Sequence, residues 1–552
     1  MIKENLIQMY EDSFRQNWDL PAVSDYKGET FTYADVCRHI ARLHLMYEAM
    51  GIKKGDKVAL LGKNSARWCI TFMSVMTYGA VVVPILSDFK PGDAQTIIDH
   101  SDSVMLIVDR QIMETLSESS LKKVKIIISV EDNDILSSDP DKKYVNAHKA
   151  LDEVFRKKYP EGYAKEHIRY AEVDNREVVE INYTSGTTGF SKGVVLSANS
   201  LAGNVTFAQQ NMELNPGDRM LTLLPLAHCY ACAFDFLFPL TMGVHITILG
   251  KLPAVPVILQ AFSEIKPHLI MFVPLFFEKL YKGKVQPKLE KGPIKVLTKI
   301  PGLKNLIYNT FKKKLYESFG GNFREAVLGG AALSAEVEAF MRKIKFPFSI
   351  GYGITECGPL ISYDGWRTTR PMSSGKIIDI MEMKIDSPDP CHEVGEILVR
   401  GENLMEGYYK NEKATKEAID KDGWYHTGDL GVTDKDGYIY IRGRSKNMLL
   451  GPSGQNIYPE EVEAKLTNMP YVSEVVVLMN KNHKLEALVY PDYDLARKDG
   501  VEDIASKMEE NRRTINTHLA SFEAIAKIHI RDQEFEKTPK RTIKRFLYRL
   551  EE

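Results

Sequence analysis

The sequence predicts an α/β protein: a large domain of parallel sheets covered by helices, a smaller β-rich module, and a compact α+β domain at the C-terminal end. Three observations carry this. Over the first half, helix-like segments alternate with short apolar strand-like ones, the pattern of parallel crossover units. From about Gly375, short β-like runs separated by Gly and Asp turns replace that alternation. The chain's 552 residues, 44% hydrophobic and 26% charged, exceed what a single core holds, so at least two domains are expected.

The opening "MIKENLIQMYEDSFRQNW" mixes charges and lacks the continuous apolar segment of a signal peptide. Next come a helix, "YADVCRHIARLHLMYEAMG", and a strand, "KVALLG". Residues 68–87 carry no charge over a length that could span a membrane, but Gly79 and Pro84 divide them into a helix and the strand "AVVVPIL". A helix "GDAQTIIDH" and strands "SVMLIVD" and "KVKIIISV" continue the alternation. Residues 221–250 are apolar but interrupted by Pro225, His228, Asp235 and Pro239, which suits a core with a polar feature better than a membrane span. The β-rich module holds "MEMKID", "GEILVRG" and "GYIYIRGR". Beyond Arg444, "VSEVVVLM", "KLEALVYP", a charged helix over about residues 501–524, and "AKIHIRD" make the last domain.

A net charge of −2 gives no reason to seek a nucleic-acid partner, which demands a strongly basic face. Six scattered cysteines indicate free thiols in a reducing, cytoplasmic compartment. Cys229 and Cys232 form a lone CxxC without a second pair and read as small core residues.

In "INYTSGTTGFSKGVVL", residues 181–196, the alternation of Val179, Ile181 and Tyr183 with polar neighbours feeds a strand into a loop. A second strand follows over 194–196, and Ser197 or Asn199 caps the next helix. The loop residues Thr184, Ser185, Gly186, Thr187, Thr188 and Gly189 are thus anchored at both ends. Glycines let backbone N–H groups turn toward an anion, hydroxyls add donors, and Lys192 supplies a full charge, chemistry suited to a polyphosphate. The string does not match GxxxxGK[ST], and by composition alone a flexible turn with an exposed lysine is the simpler reading.

The full string "YTSGTTGFSKGV" resembles the phosphate loop of the adenylate-forming superfamily, which includes acyl-CoA synthetases, luciferases and peptide-synthetase adenylation domains. The resemblance continues in the family's order. "LPLAHCYA" at 224–231 is similar to its acyl-side motif and "LGGAALS" at 328–334 to its substrate and adenine wall; "GYGITE" at 351–356, "WYHTGDLG" at 424–431 and "GRSKNMLLGPSGQNIYPEEVE" at 443–463 follow. This implies an adenylation domain over residues 1–442 with two doubly wound sheets and a small β-barrel-like module, a hinge at 443–446, and a small mobile α+β lid domain over 447–552.

The resemblance also implies an acid–thiol ligase using ATP, Mg²⁺ and CoA. A carboxylate attacks the α-phosphorus of ATP, pyrophosphate leaves, and the acyl group passes from AMP to CoA. One anion approaches another, so the site must cancel repulsion and hold the reactants in line. By resemblance, Thr184, Ser185, Gly186, Thr187, Thr188, Gly189 and Lys192 cradle the β- and γ-phosphates, Thr355 touches phosphate, and Glu356 holds Mg²⁺ with Thr184. Gly330, Ala331, Gly351, Tyr352 and Gly353 border the nucleotide, Tyr352 offering adenine a flat face. Asp429 takes the ribose hydroxyls with Arg444 beside it. His228, Tyr230, Val273, Gly329 and Gly330 border the acid, His228 as a gate between acyl pocket and phosphates. His426 reads as a packed or surface histidine. Lys446 occupies the hinge about which the lid domain turns after adenylation, bringing "GPSGQN" to the pantetheine, where Gly454 leaves room for the chain.

The sequence departs from the family near its end. The family's last motif carries a lysine that reaches the carboxylate and α-phosphate; in "KTPKRTIKRFLY", residues 537–548, Thr542 stands there. Either the first half-reaction is weakened or another lysine substitutes: if the segment is extended, Lys540 and Lys544 share a side with Thr542, roughly 6.5 Å along the strand, and slow but real adenylation is expected. Thr542 leaves open an acyl-AMP ligase or a non-catalytic nucleotide or acyl binder. The aromatic-rich "LPLAHCYACAFDFLFPL" and "MFVPLFFEKLYKG" resemble the long-chain acyl-CoA synthetase branch and point to a fatty acid, with a medium-chain or aryl acid as the alternative. Lysines from Lys279 to Lys314 make a basic region, either a solvated face or a weak peripheral contact with anionic lipid.

Overall fold

The computed structural model describes residues 1–138, 142–184, 191–250, 255–290, 300, 303–451, 455–538 and 542–550. A seven-stranded sheet forms its centre. Strands Lys57–Gly62, Val81–Leu86, Ser103–Val108 and Ile126–Ser129 run parallel, and Val178–Thr184 joins beside Val81–Leu86. Antiparallel strands Lys192–Ser197 and Gly407–Tyr408 complete that edge. The inner strands are continuous apolar runs because helices cover both faces; every residue of Val81–Leu86 is buried. Helix Ala66–Thr77, N-capped by Ser65, is likewise buried along its length. The uncharged stretch 68–87 is therefore a core helix and a core strand. Among the described residues no helix is long and apolar enough to cross a membrane.

A second sheet has Arg219–Thr222, His245–Ile248 and Pro21–Asp25 parallel, edged by antiparallel Thr30–Thr32. Leu269–Phe272, Glu325–Leu328 and Phe348–Ile350 form a further parallel set packed on an aromatic core that includes Phe262, Phe272, Phe277 and Phe319. The β-rich module is the antiparallel sheet of Met381–Asp386, Gly395–Gly401, Tyr425–Thr433 and Ile439–Arg444. The C-terminal sheet of Val472–Met479, Leu485–Pro491 and Ile525–Ile530 carries helix Pro459–Thr467 over its own core of Val462, Leu466, Val475 and Val477. The fold is thus mixed α/β, with a large N-terminal and a small C-terminal domain.

Two expectations are corrected. The charged segment 501–524 is not one helix. Ile504–Asn516 ends where the Asn516 side chain bonds both N–H and C=O of Ile525, tying the chain back to the sheet, and only a 3₁₀ turn, Ser521–Glu523, follows. Nor does the segment around Thr542 run on as an extended strand: Lys537 pairs antiparallel with Ile543, and Thr538 N–H donates to Thr542 O at 2.8 Å, so the chain folds back on itself.

Candidate functional site

Strand Val178–Thr184 ends at Thr184 and strand Lys192–Ser197 begins at Lys192, and these two residues face each other in register. Thr184 Oγ1 donates to Lys192 O at 3.5 Å. Ser185, Gly186, Thr187, Thr188 and Gly189, between them, lie outside the described residues. Ser197 caps helix Ala198–Asn211, accepting from Ser200 N–H. The hairpin mouth opens at the carboxyl ends of the parallel strands, where open α/β sheets bind ligands.

Lys192 Nζ stands 4.5 Å from the centroid of the Tyr408 ring, brought there by the pairing of Gly407–Tyr408 with Val194 and Val195. The Tyr408 hydroxyl donates to Glu356 Oε1 at 2.9 Å and lies 3.2 Å from the Tyr425 hydroxyl. Met405 N–H donates to Glu356 O at 2.8 Å, pinning the 3₁₀ turn Thr355–Cys357. Burial, and next the Glu356 carboxylate, raise the Tyr408 hydroxyl above its ordinary pKa, so it remains a proton donor to that carboxylate. Lysine, tyrosine and carboxylate form one line.

On the other side, Asp429 and Arg444 are cross-strand partners in the β-rich module, with Arg444 Nε 2.7 Å from Asp429 Oδ1. The Tyr352 hydroxyl donates to Asp429 Oδ2 at 2.7 Å. Asp429 is only 5% exposed. Burial raises its pKa from the ordinary carboxylate value; Arg444 and Tyr352 oppose that, and Glu356 adds to it. Glu356 also acts on Arg444, so the two groups of residues form one electrostatic cluster.

The residues expected to border the acid gather around the turn that follows His228. His228 N-caps the turn Cys229–Ala231, its Nδ1 accepting from Tyr230 N–H at 3.2 Å, which in the neutral ring places the proton on Nε2. Cys229 Sγ donates to Thr355 Oγ1 at 3.4 Å, joining this turn to the Glu356 segment. The Tyr230 hydroxyl donates to Val327 O at 3.1 Å. A Cβ on Gly329 would stand 3.0 Å from Tyr230 Cζ, and Gly330 has φ +82° beside Val273 Cγ1; glycine is needed at both for different reasons. Ala331 follows, exposed. Gly351 N–H donates to Leu328 O at 2.9 Å, and Tyr352–Gly353 pairs with Leu360–Tyr363, setting Tyr352 beside this wall.

Residues 10–409 match the model of a family described as AMP-binding enzyme, and residues 447–548 match its C-terminal domain. The chain belongs to the AMP-binding enzyme family. It is 29% identical to a long-chain-fatty-acid–CoA ligase, FadD15, of Mycobacterium tuberculosis, over 84% of this chain and 77% of that protein. It is 27% identical to a probable chloroplastic acyl-activating enzyme 16 of Arabidopsis thaliana, over 88% of this chain and 77% of that one. Among solved structures, the anthranilate CoA ligase AuaEII in complex with anthranoyl-AMP superposes with a TM-score of 0.78 at 20% identity, covering 99% of this chain and 96% of that one.

In this AMP-binding enzyme other predicted residues lie apart from the cluster or outside the description. Lys446 is exposed on the 3₁₀ turn Ser445–Asn447, with neighbouring Asn447 bonded to Glu460. Gly454 and Lys540 fall outside the described residues. Lys544 is not drawn to the cluster: its ammonium pairs with Glu536 at 2.6 Å, which Lys90 also approaches at 3.8 Å, because the fold-back places Lys544 opposite Glu536. His426 pairs with Glu396 at 3.1 Å on the surface side of the β-rich module. Tyr408 and Tyr425, central to the geometry, escaped sequence reading. Tyr408 sits in "EGYYKNE", which carries no signal by itself; its meaning comes from a strand pairing more than 200 residues distant in the chain.

Proposed function

We propose that the chain activates a carboxylic acid as its acyl-AMP, using ATP, and transfers the acyl group to CoA. The observation that carries this is the continuous line from Lys192 through Tyr408 to Glu356, next to the Tyr352–Asp429–Arg444 group. It offers a cation and a fixed carboxylate where a nucleotide's phosphates would enter, and a buried acceptor where its ribose would rest. In this reading Lys192, with the loop from Thr184 to Gly189, holds the β- and γ-phosphates. Thr355 contacts phosphate, Asp429 accepts from the ribose hydroxyls, Arg444 orients Asp429, and Tyr352 borders the adenine. His228, with its proton on Nε2, separates the acid from the phosphates without moving a proton.

Among the described residues no group of three His, Cys, Asp or Glu forms a metal cage. Glu356, a lone carboxylate oriented by Tyr408, with Thr184 near the same mouth, fits Mg²⁺, which binds through one or two carboxylates plus substrate phosphates. Bound there, the ion neutralises charge developing on the leaving pyrophosphate.

The lid domain, over residues 447–552, turns about Lys446 within the hinge 443–446 and brings the Gly454 loop to the pantetheine. The apolar wall around Tyr230 and Val273, together with similarity to a long-chain-fatty-acid–CoA ligase, favours a fatty acid. Thr542 supports a second reading, in which acyl-AMP is the end product. Incubation with MgATP, CoA and acids of graded chain length, following AMP and thioester, tests both: acyl-CoA with AMP is expected. Acyl-AMP without thioester selects the second reading, and no AMP from any acid refutes both.

A further inference from the structure

Asp235 is fully buried, and neither side-chain oxygen has a hydrogen-bond partner among the described residues. A buried carboxyl without a partner is costly unless something satisfies it. Its place in the fold is specific. The chain turns from His228 and Tyr230 directly into a π-helix, Cys232–Leu237, a wide i→i+5 turn often found at functional sites. Asp235 follows Tyr230 by five residues and lies close enough to raise the Tyr230 hydroxyl electrostatically. Of its flanking residues, Phe234 packs in the main core with its ring 6.1 Å from that of Tyr230, and Phe236 packs edge-on against Trp68 and Phe72. The Asp235 carbonyl lies 3.5 Å from Thr222 Oγ1, at the end of strand Arg219–Thr222. The carboxyl thus lies near the tyrosine that packs on Gly329. Among the described residues no cation is paired with it, and burial raises its pKa well above the ordinary value, the direction that favours a neutral O–H.

We propose that Asp235 is a specificity-determining residue of the acid pocket, hydrogen-bonding a neutral oxygen, hydroxyl or carbonyl, borne on the substrate's hydrocarbon part away from the activated carboxylate. The substrate class is then an oxygenated acid rather than a plain hydrocarbon chain. This rests on the ligase reading above. A buried donor built to meet an oxygen discriminates against the analogue that lacks it, because its own hydrogen bond is then left unmade.

The test compares kcat/KM for straight-chain acids with hydroxy and oxo acids of the same length, the oxygen moved stepwise along the chain, in wild type, Asp235→Asn and Asp235→Leu. Wild type is expected to favour one oxygenated isomer by at least about tenfold. Asp235→Asn keeps most of the preference, and Asp235→Leu loses it while retaining or raising turnover of the plain acid. Should Asp235→Leu fail to fold, the wild-type series and the Asn variant still decide. Turnover of all acids with no oxygenated isomer preferred, or a preference unchanged in Asp235→Leu, overturns the proposal and leaves the ligase reading standing. Preference for an amine-bearing acid overturns the neutral-donor form. No AMP from any acid refutes the ligase reading and this inference with it.

Discussion

Glu180 offers a quantitative check on the strand that carries the loop. It lies in Val178–Thr184, 1% exposed, with one carboxylate oxygen accepting from Asn182 Nδ2 at 2.8 Å. Burial lifts its pKa from 4.5 to about 7, the Asn182 bond opposing. The folded state therefore holds a proton between pH 4.5 and 7 that the unfolded chain has released, so folding stability falls as pH rises through that window and levels off above it. The size follows from 1.36 kcal/mol per pH unit: ~3 kcal/mol, fully present below pH 4.5 and lost by about pH 7. Glu180→Gln keeps shape and hydrogen bonding but has no proton to lose. Urea midpoints followed by tryptophan fluorescence, for wild type and variant at pH 5 and pH 8, isolate the effect, because every other titrating group cancels in the difference between the two proteins. The variant should gain on wild type by ~2–3 kcal/mol on going from pH 5 to pH 8. A wild-type-to-variant difference equal at the two pH values refutes the reasoning.

Other expectations concern the site. Tyr408→Phe removes the hydroxyl that fixes Glu356, a bond to a charged group worth ~1.5–3 kcal/mol; pyrophosphate release should slow by about 10- to 100-fold with circular dichroism unchanged, and wild-type rates would exclude a role for that bond. Asp429→Asn leaves Arg444 without its ion pair and should weaken ATP and AMP binding in calorimetry by at least about tenfold; an unaltered Kd would remove Asp429 from the nucleotide site. Thr542→Lys should raise the rate of acyl-AMP formation in single turnover, and a variant that gains no rate shows that this position does not limit adenylation.

What the sequence made legible was whatever local pattern determines. The alternation of helix and strand, the break at Gly79, and the Ser197 cap all depend on neighbours within a turn or two, and the structure has them, whereas Pro84 sits within strand Val81–Leu86 rather than ending it. Asp429 and Arg444 were readable as motif positions, but their direct pairing is a matter of antiparallel register. Tyr408 was invisible for the same reason more strongly: Gly407–Tyr408 is an edge strand of two residues, recruited from beyond the β-rich sheet to Lys192–Ser197. The Lys544 expectation failed because period-two geometry holds only in an extended strand, and the chain there turns back within a few residues to pair Lys537 with Ile543.

The charge balance of the cluster connects these parts. Lys192 and Arg444 stand with Glu356 and Asp429, two basic residues with two acidic ones, and Glu356 is near enough to disfavour the ionisation of Asp429. A polyphosphate entering this neutral arrangement adds several negative charges, and the incoming acid adds one more. The residues present offset only part of that repulsion, which in a low-dielectric site is larger than in water. Ionic screening cannot supply the rest, because buried pairs are poorly screened. On the proposed roles, the remainder falls to loop N–H groups and to a divalent cation at Glu356. On the proposed roles, threonine at position 542 withholds a further positive charge from the reacting anions, so adenylation depends more steeply on Mg²⁺ than it would with a lysine there. Thr542→Lys should therefore flatten the magnesium dependence of the first half-reaction as well as raise its rate, a pairing of effects that a purely structural role for Thr542 does not produce.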